Sequence, residues 1–233
     1  MQDFLEKYGG KELDSSKLSD YEKWSLNFFS DKNEIQDSSF EITIQLDITK
    51  ADQIYRSTYA QTPGASFTAY LIWNIFGTLN KHPYLNYRFL RGKWYSFENL
   101  PLFCLVAVEG ERRFGEALVE NVAHANWERF CFLYRKAIEE ARNGQRSTVD
   151  EDVWRIAVVV GNLYHLNFTS LRRHKDNESM AKSYFYFGAR NKASDGSLSM
   201  AFYTGFDHCT CDLFLLSKFH QDYLEKITMK SNF

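Results

Sequence analysis

The stretch Met200 to Phe214, MAFYTGFDHCTCDLF, changes its periodicity part-way along, and that change limits what the chain can fold into. Up to His208 the larger apolar residues fall on alternate positions (Met200, Phe202, Phe206), the period of a strand with one buried face. From Asp212 onward Leu215, Leu216, Phe219 and Tyr223 follow helical spacing. The pattern predicts a strand that runs into a helix at His208, with Asp212 at the N-cap, where its carboxylate satisfies orphan N–H groups. Such a junction holds a side chain on rigid backbone and leaves its tip at the sheet edge, where a base can meet substrate.

Spacing alone leaves other readings open. A lone histidine beside apolar neighbours is more often a hydrogen-bonded core residue, and an aspartate that opens a helix is more often only a cap. His208, Cys209, Cys211 and Asp212 are also all potential metal ligands. Neighbouring strand residues point to opposite faces, however, and no second Cys or His pair with usable spacing occurs elsewhere, which argues against structural zinc.

With 233 residues, 44% of them hydrophobic, the chain can bury a sizeable core, and one domain is expected over 21–233 after a polar N-terminal extension over 1–20. A net charge of −2, with both signs spread along the chain, leaves no basic footprint for nucleic acid. Cys104, Cys131, Cys209 and Cys211 sit in apolar or strand-like contexts, as free thiols do in a reducing compartment. The N-terminus MQDFLEKYGGKELDSS has no apolar centre for export, and no run approaches the ~18 apolar residues of a membrane span. A soluble cytoplasmic protein, with no membrane or nucleic-acid partner, is the expectation.

Along the chain, Phe40 to Ile48 (FEITIQLDI) carries the strongest strand signal, and Thr49 opens a short helix toward Tyr59. Ala65 to Asn80 is apolar on most faces, as in a buried helix. Asn86 to Phe97 reads as a hairpin turning at Arg91-Gly92, and Leu102 to Val108 as another strand. A long helix is expected from Gly115 to Arg142, with strand, turn and strand from Ile156 to Phe168. The charged run LRRHKDNES after Ser170 reads as a solvated loop, and Tyr184 to Gly188 and Leu198 to Asp207 as the last strands, joined near Asp195-Gly196. These elements add up to a mixed α/β (α+β) chain: a mostly antiparallel sheet covered by helices.

Several of these segments, in order, resemble the chloramphenicol acetyltransferase family of coenzyme-A-dependent acyltransferases, over nearly the whole chain. The resemblance begins at Trp24 and Phe29, continues through Gln45 to Thr49 (QLDIT) and His82-Pro83, and takes in the hairpin RFLRGKWYSFEN. Asn167-Phe168-Thr169-Ser170 resembles the family's Asn-Phe-x-Ser segment, and MAFYTGFDHCTCD its strand ending in His-His-x-x-x-Asp-Gly. The resemblance implies a two-layer α/β sandwich, a homotrimer with its active site between subunits, acetyl-CoA as co-substrate, no metal, and chloramphenicol as the alcohol acceptor. It carries the general base onto His208, the motif Asp onto Asp212 and the oxyanion-binding hydroxyl onto Ser170, with Asn167, Phe40 and Phe114 at substrate-binding positions.

Physical chemistry makes these roles sensible. An alcohol hardly ionises at neutral pH, but a neutral imidazole can remove its proton as it attacks a thioester carbonyl, and a placed hydroxyl can donate to the resulting oxyanion. Direct attack in a ternary complex leaves no need for a cysteine nucleophile.

The chain also departs from the family pattern. The family's Arg soon after the N-terminal Trp has no counterpart in WSLNFF, so Asp212 needs another partner; Asp207 stands where the first motif His would be, and Leu213 where the Gly would be. Arg172, Arg173, His174 and Lys175 replace an apolar stretch after Ser170. Two alternatives follow: a related acyltransferase with another alcohol or amine acceptor, and a non-catalytic trimeric binding protein of the same fold.

Overall fold

The computed structural model describes residues 1–111, 113–144, 150–173 and 181–229. The chain opens with α1 (Gln2–Tyr8), β1 (Gly10–Glu12) and a 3-10 turn, Ser15–Lys17. Next comes α2 (Asp20–Phe28), started by a reciprocal capping box between Ser19 and Glu22. β2 (Ser39–Asp47) is followed by α3 (Thr49–Ile54), which relaxes into a π turn over Tyr55–Tyr59. α4 (Phe67–Leu79), capped by Ser66, leads through the 3-10 turn Pro83–Asn86 into the hairpin of β3 (Tyr87–Leu90) and β4 (Lys93–Phe97). Positive φ at both Arg91 and Gly92, 51° and 81°, gives the turn the twist that paired strands need. β5 (Leu102–Ala107), β6 (Phe114–Val119), α5 (Trp127–Arg142), α6 (Glu151–Ile156) and β7 (Val158–Asn162) follow. β8 (Tyr184–Lys192), β9 (Leu198–Asp207) and α7 (Leu213–Thr228) complete the chain.

The main sheet has six strands in the order β2-β9-β8-β7-β5-β6, and β1, β4 and β3 form a separate three-stranded sheet. Only the β5/β7 and β7/β8 pairs are parallel; the others in the main sheet are antiparallel. One face of the main sheet meets the helices. There Phe40, Ile42 and Ile44 pack with the principal core, and Phe219 of α7 lies against Phe185 and Phe206. Truncating such a fully buried ring costs about 3–5 kcal/mol. On the other face Phe103, Val159, Tyr184 and Tyr203 form a smaller cluster, against which Phe168 and Leu171 pack. The two-layer α/β architecture expected from the sequence is therefore present, and no described helix is long and apolar enough to cross a membrane.

Two expectations change. The long helix from Gly115 to Arg142 is instead a strand, β6, and a shorter helix, α5, whose N-cap is Asn126. In FGEALV the residues Gly115, Ala117 and Val119 are buried alternately, and this period of two was hidden among good helix formers. The second strand expected before Phe168 is absent, because the chain leaves β7 at Asn162 and crosses the outer face without regular structure. The polar N-terminal residues pair β1 with β4 and bury Tyr8, whose hydroxyl donates to Glu120.

Candidate active site

β9 ends at Asp207 and α7 begins at Leu213, so the turn 208–212 hangs from two rigid elements. Asp207 organises it. Its buried carboxylate accepts from the Ser38 hydroxyl (2.9 Å) and from the backbone N–H of Cys209 (2.9 Å) and Ala181 (3.4 Å), tying the turn to the segments that lead into β2 and β8. The Ser25 hydroxyl of α2 fixes the turn from the other side, donating to the carbonyls of His208 (3.1 Å) and Cys209 (3.0 Å).

His208 donates its backbone N–H to the Ser38 carbonyl at 2.7 Å. Its ring lies flat on Phe29, with centroids 3.9 Å apart and planes at 10°, and Phe40 stands 5.6 Å away. Nδ1 is buried without a hydrogen-bond partner, while Nε2 bonds none of the described residues and is not sealed from solvent. The imidazole is thus aimed by apolar contact, with one nitrogen free to exchange a proton with a ligand.

Asp212 caps α7: its Oδ1 accepts from the Leu215 N–H at 2.8 Å. Oδ2 accepts from the Tyr21 hydroxyl at 2.7 Å, and burial, then this carboxylate, push the Tyr21 phenol up to about 12. Burial raises both neighbouring thiols, Cys211 to about 12 and Cys209 further, so each stays protonated at neutral pH.

The remaining sequence candidates stand elsewhere. Phe168 and Leu171 pack on the outer face of the sheet, and Gln45 donates to the Phe168 carbonyl (3.3 Å), so Ser170 and Asn167, both exposed, belong to a segment on that face. Within one chain no contact among the described residues joins them to His208, whose ring sits with Phe29 and Phe40. Phe40, on β2, touches the imidazole; Phe114, 53% exposed at the start of β6, lies on the opposite edge strand. With strands spaced ~4.8 Å apart, the five steps between them amount to roughly 24 Å.

Of the charged run, Arg172 is exposed, whereas Arg173 lies 3.6 Å over the Tyr184 ring and 3.4 Å from Glu41 on the outer face. His174 and Lys175 lie outside the described residues.

Comparison with solved structures bears on this architecture. A chloramphenicol acetyltransferase superposes with a TM-score of 0.75 at 17% identity, over 94% of this chain and 99% of that one. The chain has the chloramphenicol acetyltransferase fold. A probable dihydrolipoamide acetyltransferase from Listeria monocytogenes shares this fold (TM-score 0.65, 15% identity, 96% and 97% of the two chains). So does the dihydrolipoamide acetyltransferase of Azotobacter vinelandii (TM-score 0.63, 14% identity, 82% and 81%), studied for the catalytic roles of a serine, a histidine and an asparagine four residues beyond it. No protein-family model matches the sequence, and no curated protein does.

Sequence reasoning missed Tyr21, Ser25 and Ser38, and used Phe29 only as a point of resemblance. The absent family Arg signalled that Asp212 needed a partner, but the phenol that meets it comes from α2, a tertiary contact that no local pattern encodes.

Proposed function

We propose that the protein is an acyltransferase that uses acetyl-CoA, with His208 as general base and Ser170 as oxyanion donor. The observation that carries this reading is the His208 ring at the strand-to-helix turn, clamped on Phe29 and with neither ring nitrogen bonded to the described residues. Support comes from the shared fold and from a histidine with a polar residue four positions on, here Asp212, as in the Azotobacter enzyme. Neutral imidazole takes the acceptor hydroxyl's proton as the oxygen attacks the thioester carbon. The tetrahedral oxyanion receives a hydrogen bond from Ser170; it then collapses, the C–S bond breaks, and the imidazolium returns the proton to the departing CoA sulfur.

In this reading Ser170 and His208 meet across a subunit boundary, because they occupy opposite faces of one sheet, and the assembly is a homotrimer. Two adjoining hollows of about 360 and 470 Å³ at the start of α4 share Thr68 and Asn162, and Arg135, Arg142 and Arg190 line them. Planar guanidinium groups bind phosphate oxygens in pairs, which suits a CoA nucleotide end lying there.

Chloramphenicol is the acceptor we infer first. A second acceptor class, another alcohol or amine, is favoured by Arg173, which sets an ion pair with Glu41 on the outer face at a position where the family pattern has an apolar stretch. Purified protein incubated with acetyl-CoA and a thiol reagent tests both: CoA release with chloramphenicol supports the first acceptor, and release only with other alcohols or amines the second. No release with any acceptor overturns the enzyme in favour of a binding protein.

A further inference from the structure

A cavity of about 290 Å³ opens beside the turn, between α2, the 3-10 turn Pro83–Asn86 and the start of α7. The His208 ring takes no part in its wall. Tyr21, Tyr84, Tyr87 and Phe214 supply aromatic rings, Glu22 and Asp212 supply carboxylates, and no lysine or arginine is present in the lining.

The hydroxyl protons around this cavity are nearly all committed elsewhere. Tyr21 donates to Asp212 at 2.7 Å, Ser25 to the His208 and Cys209 carbonyls, and Thr210 to the Asp207 carbonyl at 3.4 Å. Tyr84 lies 2.7 Å from Nδ1 of His82, whose Nε2 faces Asp222 at 2.8 Å. With the ring proton assigned to the nitrogen that faces the Asp222 carboxylate, Nδ1 accepts from Tyr84. Toward the cavity these groups therefore present lone pairs, and Tyr87 is the one lining phenol whose proton has no named acceptor. Among these side chains an N–H donor would find acceptors on several sides, whereas an acceptor would find a free proton only on Tyr87. The negative faces of the tyrosine rings favour a cation in the same place, the Phe214 ring already having the Lys218 ammonium 4.3 Å over it.

We propose that this cavity is a binding site for an organic ammonium compound, with its charged nitrogen among the tyrosines and carboxylates and its apolar body against Phe214 and Leu215. Its walls resemble in kind the aromatic cages that hold alkylated amines. The site shares the turn and Asp212 with the candidate active site but not the His208 ring, and its occupancy can be measured whether or not the protein transfers acyl groups.

Isothermal titration of the full chain with benzylammonium, benzyl alcohol and phenylacetate tests it. The expected result is saturable binding of benzylammonium at one site per chain, at least tenfold weaker binding of the alcohol, and none of the anion. Tyr84→Leu removes one ring and one acceptor and should weaken benzylammonium roughly tenfold. Phe214→Ala, at a side chain 65% exposed and so harmless to folding, should weaken it several-fold; Tyr87→Phe should leave it unchanged. Equal affinity for the alcohol or the anion, no saturable binding of benzylammonium, or undiminished affinity in folded Phe214→Ala protein would overturn the proposal.

Discussion

His208 owes its aim to stacking on Phe29 and to the backbone bond with Ser38, and neither depends on its ring nitrogens. Truncating it therefore orphans no partner, and the ~1–3 kcal/mol penalty of an unmet buried hydrogen bond does not arise. His208→Ala should abolish acetyl transfer while thermal unfolding and acetyl-CoA binding stay near wild type; a parallel fall in the melting temperature and activity would mark a core histidine instead. Ser170 is exposed, so Ser170→Ala should be silent in stability yet lower kcat by ~10² at nearly constant KM, the cost of one oxyanion donor. Steady-state kinetics on the folded variant decide it, and an unchanged kcat would remove Ser170 from the chemistry. His208 and Asp212 were legible in the sequence because a change of period from two to helical marks the turn that holds them. Asp207 and Tyr21 were not: a carboxylate that accepts from Ser38, Cys209 and Ala181 and a phenol from α2 act through contacts distant in sequence.

At the scale of elements, β2, the β3–β4 hairpin and β9 could be read from the alternation of their larger apolar residues and α4 from a long apolar run, buried nearly all round, whereas β6 could not. Gly115 is the point where this misreading matters physically. A Cβ there would stand 2.4 Å from the Ala141 carbonyl oxygen, so β6 and the last turn of α5 pack backbone to backbone. Gly115→Ala should destabilise by about 1–3 kcal/mol, seen as a lower urea midpoint, because helix backbone cannot swing aside as a flexible side chain can; an unchanged midpoint would show that α5 gives way freely. The β9–α7 contact makes a separate prediction through His220, whose Nε2 lies 3.0 Å from the Thr204 hydroxyl and whose pKa burial lowers from 6.5 to about 4. Above pH 6.5 the ring is neutral in both folded and unfolded chains. As the pH falls from 6.5 toward 4 the unfolded chain takes up a proton that the native state refuses, so stability is lost, by up to about 3 kcal/mol. His220→Phe should lose less stability than wild type across that window in urea melts at pH 7 and pH 4.5, and equal losses would show that the ring protonates without unfolding.

For the molecule as a whole, the two faces of one sheet impose the decisive geometric constraint. His208 lies with Phe29 at the end of α2 and with Phe40 on the sheet face that meets the helices, and the Ser170 segment packs with Phe168 on the other side. The order of segments made the fold legible, since strands, hairpin and terminal helix follow one another as in the family; the relation between the faces was not, because it exists only once the sheet is formed. If both residues serve one reaction, they must come from different subunits of a closed ring, each boundary pairing the His208 of one chain with the Ser170 of the next. Sedimentation should accordingly show a trimer, and an active monomer would remove the shared site. Subunit mixing makes the sharper test. His208→Ala and Ser170→Ala proteins, each almost inactive alone, are denatured together at equal concentration and refolded. Every boundary then draws an intact histidine with even odds and an intact serine with even odds, so about a quarter of wild-type activity should return. If both residues acted within one chain, no mixed trimer would contain an intact pair, and the mixture would remain as inactive as its parents.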